Sequence, residues 1–316
     1  MAGSIATRAA YGAALVELAK THPELLVLDA DLSQAVNTGK FAQAYPDRHF
    51  DMGIAEGNMT SVAAGLAACG KHPFINTFAV FATGRAWEQV RNSIAYPGLP
   101  VTVVGSHGGL SVGEDGATHQ CNEDLNNMRV LPGMTVVVPC DGHEMTLATE
   151  ALLNLNSPSY LRLGRMAVDN VTDEMPGYKF ELGKGVTMRS GGDVTVIACG
   201  LMAQEALKAA DIMAAEGVSV RVIDMHTIKP LDEALVLQAA RETGAIVTSE
   251  EHSIVGGLGA AVCEYLSQAC PVPVVRHGVE DCFGRSGPAK KVLAAYGLTA
   301  EVLADKVRYA LTLKKG

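Results

Sequence analysis

Short apolar runs alternate with longer segments in which alanine and leucine recur at helical spacing, and this rhythm occurs twice along the chain. In the first block the helix-like SIATRAAYGAALVELAKTH leads into ELLVLDAD (24–31), an apolar run ended by acids. RHFDMGI, a helix from Glu56 to about Cys69 and the strand KHPFINTF follow. Next come a helix around ATGRAWEQVRNSIAY, the strand LPVTVVGS, the strand MTVVVP, the helix HEMTLATEALLNL and the strand SYLRLGR. The second block reads as strand DVTVIACG, helix LMAQEALKAADIMAAEG, strand VSVRVIDM, helix DEALVLQAARETG, strand AIVTSEE, helix GLGAAVCEYLSQA and strand VPVVRHG.

Alternation of this kind predicts an α/β fold with two doubly wound, mostly parallel-sheet domains. Residues 166–190 are polar, contain Pro176 and Gly177 and break the rhythm. The expected division is therefore a first domain over 1–167, a linker over 168–189 and a second domain over 190–316.

Composition narrows the function. The chain has 316 residues, 48% hydrophobic and 19% charged, with 33 glycines, which suits a compact enzyme of about two domains. A formal net charge of −9 leaves no basic footprint for nucleic acid or an anionic membrane. With no basic n-region at the start and no 18-residue apolar run, a cytoplasmic protein is expected. Seven cysteines never spaced as C-x-x-C predict neither a disulfide framework nor a zinc site.

Two motif matches fail on context. Gly109-Leu110-Ser111-Val112-Gly113 fits G-x-S-x-G, but the serine sits inside a long loop, not on a strand-to-helix elbow. VGGLGAAV (255–262) resembles half of a dinucleotide fingerprint, yet it follows the charged SEEHSI where a strand is required. Its glycines are read instead as tight packing at a helix start. The loop HGGLSVGEDGATHQ (107–120) is richer, gathering two histidines and two acids at the carboxyl end of a strand, where open α/β sheets place ligands. His and Asp are suited to binding and protonating sugar hydroxyls near neutral pH.

GIAEGNM followed by AAGLAA, then NTFAVFATGRAWEQV, then GEDGATHQ, in this order and separation, resemble the transketolase family. The resemblance covers nearly the whole chain, as pyrimidine-binding and C-terminal domains. It extends less closely to deoxyxylulose-phosphate synthase and to 2-oxoacid dehydrogenase β subunits. It implies thiamine diphosphate as cofactor, with Glu56 as the activating glutamate that exchanges a proton with N1′ of the pyrimidine. The bland alternative for Glu56 is a first-turn helix acid. Phe78 and Phe81 occupy the places of residues that pack on the pyrimidine, although a core role is the ordinary reading of two phenylalanines beside a strand end. Asp31 and Ile54 match positions near the cofactor, Asp31 at the subunit interface. His119 and Asp115 match groups that contact sugar hydroxyls, and Arg8, His107 and Arg165 match the phosphate-binding set. One departure is Ala35 in ADLSQAVN (30–37), where the family usually has a phosphate-holding serine; Ser33 and Asn37 are the nearby substitutes.

The resemblance also implies a missing half. Full-length transketolases carry a diphosphate-binding domain with a GDG…N motif whose oxygens hold Mg²⁺, and no GDG occurs here. The expectation is a C-terminal subunit of a split transketolase. Its partner is an N-terminal subunit that carries the motif and the Mg²⁺ (or Ca²⁺), assembled as α2β2, with no metal ligand in this chain. The expected reaction moves a two-carbon ketol unit between sugar phosphates. Alternatives are a deoxyxylulose-phosphate-synthase-like or oxoacid dehydrogenase subunit, and a noncatalytic homologue.

Overall fold

A computed structural model describes residues 3–314. Its strands in chain order are β1 (Ser4–Ala6), β2 (Leu25–Asp29), β3 (His49–Asp51), β4 (His72–Phe78), β5 (Thr102–Ser106), β6 (Thr135–Val137), β7 (Ser159–Arg162), β8 (Ala167–Asp169), β9 (Val186–Arg189), β10 (Val194–Ala198), β11 (Val220–Asp224), β12 (Thr227–Lys229), β13 (Ile246–Ser253) and β14 (Val274–Val279). One sheet has the order β12-β6-β7-β5-β4-β2-β3 and is parallel except at β12. The other has the order β14-β13-β10-β11-β9 and is parallel except at β9. Strands β2, β4, β5, β6, β7 and β10 are buried along their whole length, which is why apolar residues dominate β2, β6 and β10. The α/β architecture of two mostly parallel sheets agrees with the sequence pattern.

Several elements depart from the sequence reading. The polar stretch 166–190 contains two strands: β8 pairs antiparallel with β1, and β9 forms an edge of the second sheet beside β11. Strand β12, which follows β11 of the second sheet, crosses to the first sheet and pairs antiparallel with β6. The two sheets also share a core, in which Leu28, Ile75 and Val103 belong to the same cluster as Ile197, Ile223 and Leu258. The helix expected around ATGRAWEQVRNSIAY contains π-helical turns over Phe81–Arg85 and Val90–Ala95 on either side of the short α-helix Trp87–Gln89. Within the loop 107–120, Leu110–Asp115 forms a 3₁₀ turn broken at Gly113.

The segment before VGGLGAAV is a strand after all, since β13 runs through Glu250 and Glu251 to Ser253. Both acids are tolerated in a buried strand because backbone amides receive their carboxylates. Glu250 accepts from Leu258 N (2.7 Å) and Gly259 N (2.8 Å) and so caps the helix Leu258–Ala269. A Cβ on Gly257 would stand 2.0 Å from Glu250 Oε2, so the glycines do serve close packing, and a carboxylate already occupies the helix start.

Candidate active site

The residues singled out from the sequence lie mostly just beyond the carboxyl ends of β2, β3, β4, β5 and β7, one rim of the first sheet. Glu56 is the first residue of the helix Glu56–Ala68 and is only 2% exposed. A carboxylate there faces the positive end of the helix dipole. Its partner is Arg85, whose Nη1 donates to Oε1 at 3.2 Å and to Oε2 at 3.4 Å. Arg85 sits within NTFAVFATGRAWEQV, where the sequence alone assigns it no task. Its signal is the four-residue step from Phe81 along one helical turn, and its guanidinium lies over the Phe81 ring, 4.8 Å from the centroid.

From Phe81 the cluster continues without a gap. Phe78 and Phe81 are near parallel, with centroids 6.1 Å apart and planes at 16°. His119 meets both rings edge-on, at 5.6 Å from Phe81 and 6.0 Å from Phe78. His107 also lies against Phe78, with centroids 4.2 Å apart and planes at 35°.

His107 takes a left-handed backbone (φ 60°), unusual outside glycine, which turns the chain sharply at the end of β5. Its Nδ1 bonds with Ser106 Oγ (2.8 Å) and its Nε2 lies 3.5 Å from Arg8 Nη1. Burial, then Arg8, Arg165 and His119, push this imidazole down to about 3, so it is neutral at physiological pH. The expected anion set would therefore be two guanidiniums and a neutral imidazole. Arg8 is lowered by burial and by Arg165, and its Nε is buried without a hydrogen-bond partner. Two neighbouring like charges, beside an unanswered buried N–H, are an arrangement that an anion would stabilise. Arg165 donates to the Val112 carbonyl and to Glu114 Oε2 (3.1 Å), with Asp115 Oδ1 at 3.9 Å.

Other expected residues stand apart from this core. Asp115 is exposed on the Arg165 side of the loop. Asp31 is exposed in a left-handed turn after β2 (φ 58°), where its amide donates to Asp51 Oδ1 at 3.1 Å. Ile54 is 75% exposed two residues before Glu56, an apolar side chain without cover in the single chain. The segment around Ala35 touches the anion set through its backbone, since the Ala35 carbonyl accepts from Arg8 Nη1 at 2.6 Å. Ser33 and Asn37 make no side-chain bond to it among the described contacts.

Residues 3–170 match the family described as transketolase, pyrimidine binding domain, and residues 183–303 match transketolase, C-terminal domain. The chain belongs to the transketolase family. It is 44% identical over 297 residues to a 6-deoxy-6-sulfo-D-fructose transketolase subunit of Clostridium sp. (strain MSTE9), covering 93% of this chain and 91% of that one. It is 36% identical over 312 residues to 1-deoxy-D-xylulose-5-phosphate synthase of Symbiobacterium thermophilum, covering 98% of this chain but 47% of that enzyme. A solved structure described as a split gene transketolase, inactive β4 tetramer, superposes with a TM-score of 0.91 at 51% identity, covering 98% of this chain and 99% of the other.

Membership of the transketolase family carries thiamine diphosphate dependence, and the side chains fit one end of that cofactor. A buried carboxylate whose one side-chain partner among the described residues is a half-exposed guanidinium stands beside two near-parallel phenyl rings. They do not fit the metal end. Among the described residues the one group of three metal-capable side chains is Cys140, Glu144 and Asp224, which includes a thiol and belongs to other elements. Its carboxylates have a simpler account. Glu144 accepts from Cys140 N (2.6 Å) and from the Tyr178 hydroxyl, while burial, then the neighbouring Glu144, push the Asp224 carboxyl well up. No helix among the described residues is long and apolar enough to cross a membrane.

Proposed function

We propose that this chain is the C-terminal subunit of a split transketolase, which moves a two-carbon ketol unit from a ketose bearing an anionic group to an aldose acceptor. The observation that carries the reading is the unbroken line from Glu56 through Arg85, Phe81, His119, Phe78 and His107 to Arg8. It spans a proton-exchanging carboxylate at one end and an anion site at the other. Thiamine diphosphate, when bound, supplies the electron sink that cleavage of a carbon–carbon bond requires. Glu56 holds and exchanges the proton at N1′ of the pyrimidine, while Phe78 and Phe81 fix the ring plane, with Ile54 and Asp31 flanking the cofactor. His119 and Asp115 bind the sugar hydroxyls and move protons there. Arg8, Arg165 and the neutral His107 bind the terminal phosphate. The sulfonated sugar in one relative's name suits the same set, since a sulfonate is also a compact oxyanion.

The diphosphate and its Mg²⁺ would then be held by a separate N-terminal subunit carrying GDG…N, in an α2β2 particle. Support comes from the split-gene β4 structure and from the relative described as a subunit, each of which this chain spans almost fully. The test is affinity capture of the chain from its native cells, identification of the stoichiometric partner, and assay of the pair with fructose 6-phosphate and ribose 5-phosphate. Capture of a GDG…N partner and transfer of the ketol unit are expected. Release of CO2 from pyruvate in place of transfer would favour the synthase-like reading that the 36% identical relative raises. Recovery of the chain alone would count against the split enzyme.

A further inference from the structure

The loop 107–120 carries three of the proposed sugar-binding groups, and its backbone is held by the other domain. At its start the Ser111 amide donates to Glu251 Oε1, and Glu251 is buried at the carboxyl end of β13. The carboxylate presses directly on the loop, since a Cβ on Gly109 would lie 2.5 Å from Glu251 Cδ. The Glu251 main-chain carbonyl accepts from Arg162 Nη1 at 2.9 Å, which ties the same strand position to β7. Further along, Gln120 Nε2 donates to the Arg285 carbonyl (3.0 Å), and a Cβ on Gly116 would stand 2.2 Å from Ser286 Oγ. Beyond the loop, Ser253 N donates to the Asn122 carbonyl at 2.8 Å. The loop thus has a mould, and the mould is the second domain.

We propose that Glu251 is a positioning residue for the sugar-binding loop: by accepting the Ser111 amide it fixes the 3₁₀ turn and hence the placement of His119 against the Phe78 and Phe81 rings and of Asp115 beside Arg165. This assigns a task to the second domain, which contributes none of the side chains in the line from Glu56 to Arg8. The proposal rests on the reading of the loop residues as sugar ligands. Of the contacts to the loop, the one from Glu251 is the most directly removable, because it is a single side-chain acceptor for a single backbone donor.

The test uses the full chain with Glu251→Ala and Glu251→Gln, read first by amide hydrogen exchange in the absence of sugar. Loss of a hydrogen bond to a charged group predicts exchange about 10- to 100-fold faster over 108–116 in E251A, with β10 unchanged. E251Q keeps a carbonyl acceptor and should stay near wild type. In the enzyme reconstituted with its diphosphate-binding partner, E251A should raise KM for fructose 6-phosphate about 10-fold, with a smaller change in kcat, and E251Q should restore it. Unchanged loop exchange in E251A overturns the anchor whatever the activity. Faster loop exchange with an unchanged sugar KM overturns the positioning role. Should E251A loosen β10 as well, E251D decides, since it withdraws the acceptor while keeping an acid beside Arg162: loosening confined to the loop supports the proposal and none overturns it. Absence of ketol transfer in the wild-type pair would count against the proposed activity, and the exchange measurement would still decide the anchor.

Discussion

Replacing Glu56 by glutamine separates chemistry from folding, because it preserves volume and an oxygen for Arg85 while removing the group that exchanges a proton. The pair it weakens joins a carboxylate 2% exposed to a guanidinium 56% exposed at 3.2 Å. With one partner so open to water, that pair is worth under about 1 kcal/mol. For a chain of this size, with an unfolding entropy of about 2.1 cal/mol/K per residue, such a loss lowers Tm by under about 2 °C. The rate, by contrast, should fall by about 10²-fold or more, the usual contribution of a positioned acid–base group, equivalent to about 2.7 kcal/mol of barrier. The assay is steady-state ketol transfer by the reconstituted enzyme at saturating thiamine diphosphate, beside a melting curve of the same preparation. Turnover within about threefold of wild type, in a protein that melts normally, would refute the role of Glu56. A melting point lowered by much more than a few degrees would instead show that the carboxylate is structural.

Three further outcomes follow from the geometry. Arg165→Ala should raise KM for phosphorylated donors by about 10- to 100-fold, the size of a charge-assisted hydrogen bond, while leaving that for an unphosphorylated ketose little changed; equal effects on both would remove Arg165 from the anion set. Asp224 has a folded-state pKa above its unfolded value, so the native state binds more protons from about pH 4 upward and stability falls as pH rises through that window. Asp224→Asn, which keeps the shape but cannot ionise, should therefore melt higher than wild type at pH 8 and match it near pH 4; the reverse ordering in calorimetry would sink the account. Gly105→Ala would put a Cβ 2.1 Å from the Tyr160 hydroxyl, which donates to Asp124 Oδ2 at 2.7 Å. Overpacking and loss of that bond should cost about 3 kcal/mol in denaturant unfolding, and a change under about 1 kcal/mol would show that Tyr160 gives way freely.

The central strands were legible because both faces of β2, β4, β5 and β10 are buried, which concentrates apolar residues into short runs bounded by turn and helix signals. The strand expected over AIVTSEE runs on through His252 to Ser253, and what the pattern did not announce is how its acids are satisfied, by amides of Leu258, Gly259 and Ser111. Strands β8, β9 and β12 escaped for a related reason. They are three or four residues long, too short for a period to declare itself, and they exist through pairing with distant edges. Among site residues, Phe78, Phe81, His107 and His119 were found together as the motifs suggested. Arg85 and Glu251 were missed, the first because a basic residue in an amphipathic segment passes for surface, the second because its contact crosses between domains.

Strand β12 leaves its own sheet to cover the outer edge of β6, so the apparent boundary between the domains is not a place where the molecule can be cut. A fragment ending at the 168–189 segment would lose its outermost strand and present bare β6 amides and carbonyls, an invitation to strand-by-strand association with other copies. Such a fragment should form aggregates where the full chain does not, and thermal melting of the intact protein should show one transition instead of two. A gene fusion or circular permutation meant to rebuild a one-chain enzyme should accordingly join at the termini and leave the interdomain segment whole.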